Sequence, residues 1–229
     1  MRRKSSLKPI RSFGRTRSRA LSKNQTELLD ANLASLLVPN DISKNYAPDV
    51  LMSDSDGVWL EIGFGGAEHL IKQSMDNPTK LIVGAEPFVE GVAKAVKEIV
   101  ANNIKNIRLI DKDVRPFLDS LADCTIDRIF ILFPDPWQKS KHFKRRLINP
   151  IFVSGLVRVL KPNGVIRFAT DWEDYANSAL AAFLSNKSLL WLAEVPTDWQ
   201  KPNQDHFTTR YEQKGLGDCN PMFFDFAKL

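Results

Sequence analysis

The chain is poor in cysteine, lacks any long apolar run and carries no acid over its first stretch. Each shortage narrows what it can be. Two cysteines, Cys124 and Cys219, in 229 residues suit neither a disulfide framework nor a cysteine-based zinc site; a reducing, cytoplasmic setting is expected. The longest strand-like apolar stretch, Ile129–Phe133, falls far below the roughly 20 residues that cross a bilayer, so no membrane partner is expected. No internal repeat is visible. What is present is 43% hydrophobic and 26% charged, too apolar for a disordered chain and enough to bury one large core.

The missing acids are concentrated. Residues 1–26 hold nine basic side chains and no acid, within a chain of 32 Lys+Arg and 27 Asp+Glu whose net charge is +5. Setting the nine aside leaves 23 basic against 27 acidic residues, a net of −4. A slightly acidic single domain over 27–229 is therefore expected behind a basic, flexible arm over 1–26, which suits a polyanion. An organelle transit peptide is also acid-poor, but Pro9 and Gly14 interrupt the amphipathic helix it would form. A plain solvated tail is the simpler alternative.

Behind the arm, Leu21–Val38 has the apolar stripe of a helix. Then short apolar runs alternate with helical ones. Strands are expected at Val58–Ile62, Leu81–Ala85, Ile107–Ile110, Ile126–Phe133, Val165–Ala169, Leu189–Val195 and Met222–Phe226. Helices are expected at Glu68–Met75, Phe88–Val100, Pro116–Leu121, from Asn149-Pro150 to about Leu160, and at Asp174–Leu184. Asn149 is a side-chain cap and Pro150 suits the first helical position. Lys161-Pro162-Asn163-Gly164 is a turn cluster. Alternation of this kind predicts an α/β fold, a doubly wound and mostly parallel sheet with ligands at the carboxyl ends of its strands.

The first strand delivers Glu61-Ile62-Gly63-Phe64-Gly65-Gly66-Ala67. Glycines between strand and helix let backbone amides approach a ligand closely. A dinucleotide fingerprint needs a glycine where Glu68 stands, and an acid there would repel a pyrophosphate. Glu-x-Gly-x-Gly instead matches the first motif of S-adenosylmethionine-dependent methyltransferases, whose ligand is a sulfonium cation without phosphate. Glu86, about 20 residues on, is placed to accept ribose hydroxyls, and Asp113 after the third strand could accept an adenine amine.

Residues 133–146 read Phe-Pro-Asp-Pro-Trp-Gln-Lys-Ser-Lys-His-Phe-Lys-Arg-Arg. Two prolines box Asp135 and restrict its backbone. Trp137 offers a stacking surface, and Lys139, Lys141, Lys144, Arg145 and Arg146 form a second basic patch around His142. Constrained acid, aromatic and cations together suit an RNA base and its phosphates. A solvated basic loop would account for the charges but not for the rigid Pro-Asp-Pro-Trp.

With this segment the sequence resembles the bacterial tRNA (guanine-N7-)-methyltransferases. The likeness extends through Leu60–Gly66, the Ala-Thr-Asp-Trp-Glu-Asp-Tyr of 169–175, Thr209-Arg210-Tyr211-Glu212, and Ile10–Arg15 in the arm. It implies a seven-stranded Rossmann-like methyltransferase sheet with helices on both faces and an antiparallel last strand. It implies methyl transfer from S-adenosylmethionine to N7 of the variable-loop guanine 46 of tRNA, without a metal or an obligatory protein partner. By motif, Glu61, Gly63, Gly65, Glu86, Asp113 and Asp135 correspond to the cofactor-binding positions, with Asp135 also the active-site residue. Lys139, Asp171, Thr209, Arg210, Tyr211 and Glu212 correspond to substrate-contacting positions. Ala67 and Val114 depart from the family pattern, where Gly and a small Ala are commoner.

Guanine N7 is a bare lone pair, so an in-line displacement needs positioning and electrostatics rather than a general base. Asp171 and Glu212 could accept from guanine's N1–H and exocyclic amine; a helix N-cap before Trp172 is the structural alternative for Asp171. Three other readings compete. Amino-group methylation would favour a second proline where Trp137 stands. A nicotinamide-dependent oxidoreductase is opposed by Glu68. A non-catalytic RNA-binding module leaves unexplained the acids that end successive strands.

Overall fold

In the computed structural model, which describes residues 20–229, the apolar runs become seven strands. They are β1 (Val58–Ile62), β2 (Leu81–Ala85), β3 (Ile107–Ile110), β4 (Ile126–Leu132), β5 (Leu160–Thr170), β6 (Leu189–Trp191) and β7 (Met222–Lys228). Their order is β3-β2-β1-β4-β5-β7-β6. The first five strands run parallel, and β7 lies antiparallel between β5 and β6. Chain order reverses at β1, where the next strand returns as β4 on its other side, and a crevice forms beyond the carboxyl ends at such a switch point.

The pleat divides the core in two. Leu60, Val83 and Ile129 face α4 (Arg115–Ser120), α5 (Pro150–Val159) and α6 (Glu173–Leu184). Trp59, Ile82 and Phe130 face α2 (Glu68–Asp76) and α3 (Val89–Ala101), against which α1 (Lys23–Leu36) packs. Residues of β1 and β2 are buried on both faces, the pattern of central parallel strands. The expected α/β sheet, its mostly parallel order and its antiparallel last strand are all present. Among the described residues no helix is long and apolar enough to cross a membrane.

Several boundaries differ from the sequence expectation, each for a local reason. The first helix begins at Lys23 because Ser22 caps it in a reciprocal capping box with Gln25. It ends before Val38, whose N–H bonds Leu109 O beside β3 at 2.9 Å. Of the arm expected over 1–26, residues 1–19 lie outside the described residues, and 23–26 are already the first turn of α1. The turn cluster at 161–164 becomes an irregularity within β5: Ile126 pairs with Leu160 but Arg128 with Val165, and Asn163 takes φ 62°. Strand β4 stops at Leu132 because Phe133 adopts φ 51°. Strand β6 is short because the chain turns toward α7 (Thr197–Gln200), held by Asp198 accepting from Val195 N–H at 3.0 Å. Asn149 and Pro150 start α5 as expected, with Asn149 accepting from Phe152 N–H at 3.1 Å.

The β6–β7 connection carries a second short helix, α8 (Arg210–Gln213). Its residues 203–206 lie across β4, β5 and β7 on the Phe130 face. There Arg128 and Arg167 reach Asp205, at 2.7 Å each, and Arg167 also binds Asp225 at 2.9 Å.

Candidate active site

The loop after β1 turns through left-handed backbone at Gly63 (φ 77°), Gly65 (φ 52°) and Ala67 (φ 69°). A side chain added at Gly63 or Gly65 would meet nothing within 4 Å, so both border open space. Ala67 keeps the left-handed turn at the steric cost a Cβ imposes there. Glu68 folds back over Gly66, which sets a carboxylate where a dinucleotide site needs phosphate. Gly91 was not foreseen: a methyl there would sit 2.5 Å from Gly65 O and 3.0 Å from Glu86 Cγ, so α3 packs directly on the loop.

Glu86 follows β2, is 8% exposed, and accepts from Gly65 N–H and Phe88 N–H at 2.9 Å each. Burial raises its pKa above the usual carboxylate value, and the charges of Asp135 and Glu61 push it the same way. Three expected acids thus converge from β1, β2 and β4. Glu61 is 3% exposed and its Oε2 lies 2.8 Å from His69 Nδ1. Asp113 stands apart at the end of β3. Its carboxylate takes the guanidinium of Arg115, with Nε at 2.9 Å, which outweighs its burial and lowers its pKa. Beside it lies a cavity of about 140 Å³ whose lining includes Val38, Ile42, Asp113 and Phe117. Val114 is buried in the core under α4.

Asp135 is exposed at the carboxyl end of β4, between Phe133 (φ 51°) and Trp137 (φ 46°). Left-handed backbone at two aromatic residues is strain that surrounding contacts must hold. Arg146 supplies much of that hold. It is 7% exposed, donates Nε–H to Pro136 O at 2.9 Å, and reaches Asp174 at 2.6 Å and Ser178 at 2.9 Å on α6. Its guanidinium also lies 3.8 Å from the Phe143 ring centroid. Arg146 therefore does not belong to the exposed basic patch in which the sequence placed it; the fold uses it as a clamp. The remaining cations stand on a 3-10 helix, Ser140–Arg145, with Lys139 exposed at its start. Arg145 covers the Trp137 ring at 4.9 Å, and the His142 ring meets Trp137 edge-on at 5.9 Å. Local desolvation, then Arg145 and three lysines, hold His142 below the ordinary histidine pKa.

On the other side of Asp135 lie the late motifs. Asp171 follows β5 at 3% exposure; among the described residues no side chain donates to its carboxylate, which lies against its own backbone and that of Gly217. Burial raises its pKa, backbone N–H groups of Asp171 and Gly217 offset part of that rise, and nearby Asp218 and Glu212 add to it. It does not cap α6: Trp172 is the N-cap without a side-chain bond, and Asp218 accepts from Glu173 N–H at 2.9 Å. Gly217 packs so closely on Asp171 that any Cβ would overlap its carbonyl and carboxyl atoms. Thr209 caps α8 by accepting from Glu212 N–H at 3.2 Å. Tyr211 stands 6.1 Å from Phe133 ring to ring, and its pKa is raised by burial and then by Asp171 and Asp135. Arg210 is exposed.

The expected residues thus form two groups that meet at Asp135. Glu61, Gly63, Gly65 and Glu86 lie on one side, and Asp171, Tyr211 and Glu212 on the other. Lys139 lies on the basic rim and Asp113 at the far strand. The sequence reading missed His69, Gly91, Asp205, His206 and Gly217, and it gave Arg146 a surface role in the basic patch. Only Gly91 and Gly217 carried a signal, as glycines beside motif residues; the others look like ordinary surface polar residues until the chain folds.

A family profile described as "Putative methyltransferase" matches residues 55–223. The tRNA (guanine-N(7)-)-methyltransferase of Caulobacter vibrioides (strain NA1000 / CB15N) is 48% identical over 220 residues, 96% of each chain. That of Hyphomonas neptunium is 45% identical, covering 95% of this chain and 99% of its own. Among solved structures, the 16S rRNA methyltransferase KamB aligns with TM-score 0.54 at 13% identity, over 84% of this chain and 98% of its own. A 16S rRNA (adenine(1408)-N(1))-methyltransferase from Catenulisporales acidiphilia, solved with cosubstrate SAM, also gives 0.54, at 14% identity over 81% and 93%. At such identities the solved structures bear on the fold alone.

Proposed function

The chain belongs to the tRNA (guanine-N7-)-methyltransferase family. From that premise we propose that it methylates N7 of the variable-loop guanine 46 of tRNA by in-line displacement, with S-adenosylmethionine as methyl donor. The observation that carries this reading is the meeting of two groups of acids at Asp135, one at a glycine loop and one on the β5 and α8 side.

The residues fit such a donor. The glycine loop borders open space, and Glu61, Glu86 and Asp135 together make a negative potential suited to a cation. Glu61, Gly63, Gly65, Glu86, Asp113 and Asp135 would hold it, Glu86 at the ribose hydroxyls and Asp113 toward the adenine. When bound, the donor supplies an electrophilic methyl group on a cationic sulfur.

The chain's own residues do the rest by placement. N7 has no proton to lose, so no side chain need act as a base. Positive charge builds on the purine during transfer, and the carboxylate of Asp135 stabilises it in a preorganised position. Asp171 and Glu212 accept from the N1–H and amine of guanine. For a buried carboxylate such as Asp171, which no described side chain satisfies, a ligand donor offsets the desolvation cost. Lys139, Thr209, Arg210 and Tyr211 line the tRNA side, and the 3-10 helix with the arm meets phosphates. The experiment is incubation of the purified chain with unmodified tRNA and labelled S-adenosylmethionine, followed by nucleoside analysis. It should yield 7-methylguanosine, and a transcript with adenosine at position 46 should yield none. Label on another atom or another nucleotide would refute the reading.

A further inference from the structure

Buried side chains link the two halves of the site, and none has a task in the reaction described above. His69, on α2, is 1% exposed; its Nδ1 faces Glu61 at 2.8 Å and its Nε2 lies 3.3 Å from Gln73 Nε2. An amide nitrogen only donates, so with Gln73 Nε2 between His69 and Asp205 O, His69 Nε2 accepts and the ring hydrogen sits on Nδ1 toward Glu61. The other amide hydrogen of Gln73 goes to Asp205 O at 2.9 Å, and its Oε1 accepts from Asn77 Nδ2 at 3.4 Å. Every hydrogen in this chain has one direction.

Beyond Asp205 the chain of contacts continues. The Asp205 carboxylate is fixed between Arg128 and Arg167, at 2.7 Å each. Its neighbour His206 donates Nε2–H to Glu212 Oε2 at 2.8 Å, with side chains 3% and 11% exposed, and rests edge-on against Phe223 at 5.0 Å. Helix α8 is only four residues long, and the connection around it has little regular structure. Left alone, a glutamate with three rotatable bonds would sample many positions there.

We infer that His206 is a positioning residue for Glu212, and that Gln73 pins the 205–206 backbone so that the purine side of the site is built from the cofactor-side helix α2. The inference rests on the reading of Glu212 as an acceptor for guanine. Held at Oε2 by His206, the ionised, accept-only form of Glu212 has one orientation. That form bonds the N1–H and amine of guanine and opposes the N1 lone pair of adenine, so His206 contributes to base choice through Glu212.

The test compares His206→Leu, His206→Gln, Glu212→Gln and the double variant His206→Leu/Glu212→Gln. The readouts are tRNA affinity without methyl donor, S-adenosylmethionine affinity, and kcat/KM for tRNA. His206→Leu should lower kcat/KM for tRNA about tenfold, a mid-range coupling for contacting residues, with S-adenosylmethionine affinity within about twofold. His206→Gln, whose amide can donate from nearly the same place, should stay within about threefold of the unmodified chain. The double variant should be no worse than Glu212→Gln alone. Normal turnover in His206→Leu beside an impaired Glu212→Gln overturns this inference and spares the Glu212 reading. Normal turnover in Glu212→Gln overturns that reading itself. A double variant worse than Glu212→Gln by the full His206 factor shows that His206 acts elsewhere. Should His206→Leu not melt cooperatively, Gln73→Leu replaces it: about a fivefold fall in kcat/KM supports the inference, and no fall overturns it.

Discussion

Asp171 and Arg146 are both nearly buried polar side chains, and the fold treats them oppositely. Arg146 has every arm of its guanidinium engaged, so Arg146→Ala should cost about 2–4 kcal/mol by denaturant unfolding, in the range for breaking a buried charged network. It should also lower kcat more than S-adenosylmethionine affinity, because it frees the Pro136 carbonyl and the strained turn around Asp135. Asp171 has no side-chain donor among the described residues, and its burial outweighs the backbone N–H groups near it, so its charge is destabilising. Its folded pKa is raised, so ionisation opposes folding. That cost is absent while the group is protonated in both states, grows as pH rises from the ordinary carboxylate value to the raised one, and persists above. Asp171→Asn should therefore melt higher than the unmodified chain at neutral pH, by on the order of 1 kcal/mol, with the advantage shrinking on acidification. The same variant should lose tRNA turnover while keeping S-adenosylmethionine affinity. A lower Tm at neutral pH would mean that the Asp171 carboxylate stabilises the fold.

At the scale of elements, what was legible in the sequence follows from locality. Strands β1 to β3 and helix α5 were readable because apolar period, glycine and cap residues all act within a few positions of one another. The glycine loop and Pro-Asp-Pro-Trp were readable for the same reason. The turn cluster at 161–164 was read as a break because its residues favour one, yet pairing on both sides absorbs it into β5. The β6–β7 connection was not readable: its anchors, Arg128, Arg167 and Gln73, come from three other elements, and no periodicity announces them. Gly91 illustrates the same limit, since only the packing of α3 on the loop requires it. Gly91→Ala should displace Gly65 O or the Glu86 side chain and weaken S-adenosylmethionine binding about tenfold, measured by calorimetry, with tRNA affinity unchanged. Unchanged donor affinity would show that the loop yields without consequence.

For the whole molecule, the opposed charges divide by place. Nine positive charges lie within residues 1–26, while the rest of the chain is net negative, and acids gather at the ends of β1, β2, β4 and β5. The cations of that stretch and of the 3-10 helix suit a phosphate backbone; the acids at the strand ends suit a cationic donor and the donor edge of guanine. Removing residues 1–19 should weaken tRNA binding and flatten the slope of log affinity against log salt, leaving S-adenosylmethionine affinity as it was. An unchanged slope would assign tRNA binding to the folded domain alone. Asp135, where the two groups meet, is proposed to assist transfer by its charge as well as to help hold the donor. The most direct test is the single-turnover rate of Asp135→Asn with tRNA and S-adenosylmethionine both saturating, beside the two equilibrium affinities. The expected result is a saturated rate at least about 100-fold lower, a fall larger than any loss of donor affinity, with tRNA affinity within about threefold. A near-normal rate, or a loss confined to donor affinity, would contradict it.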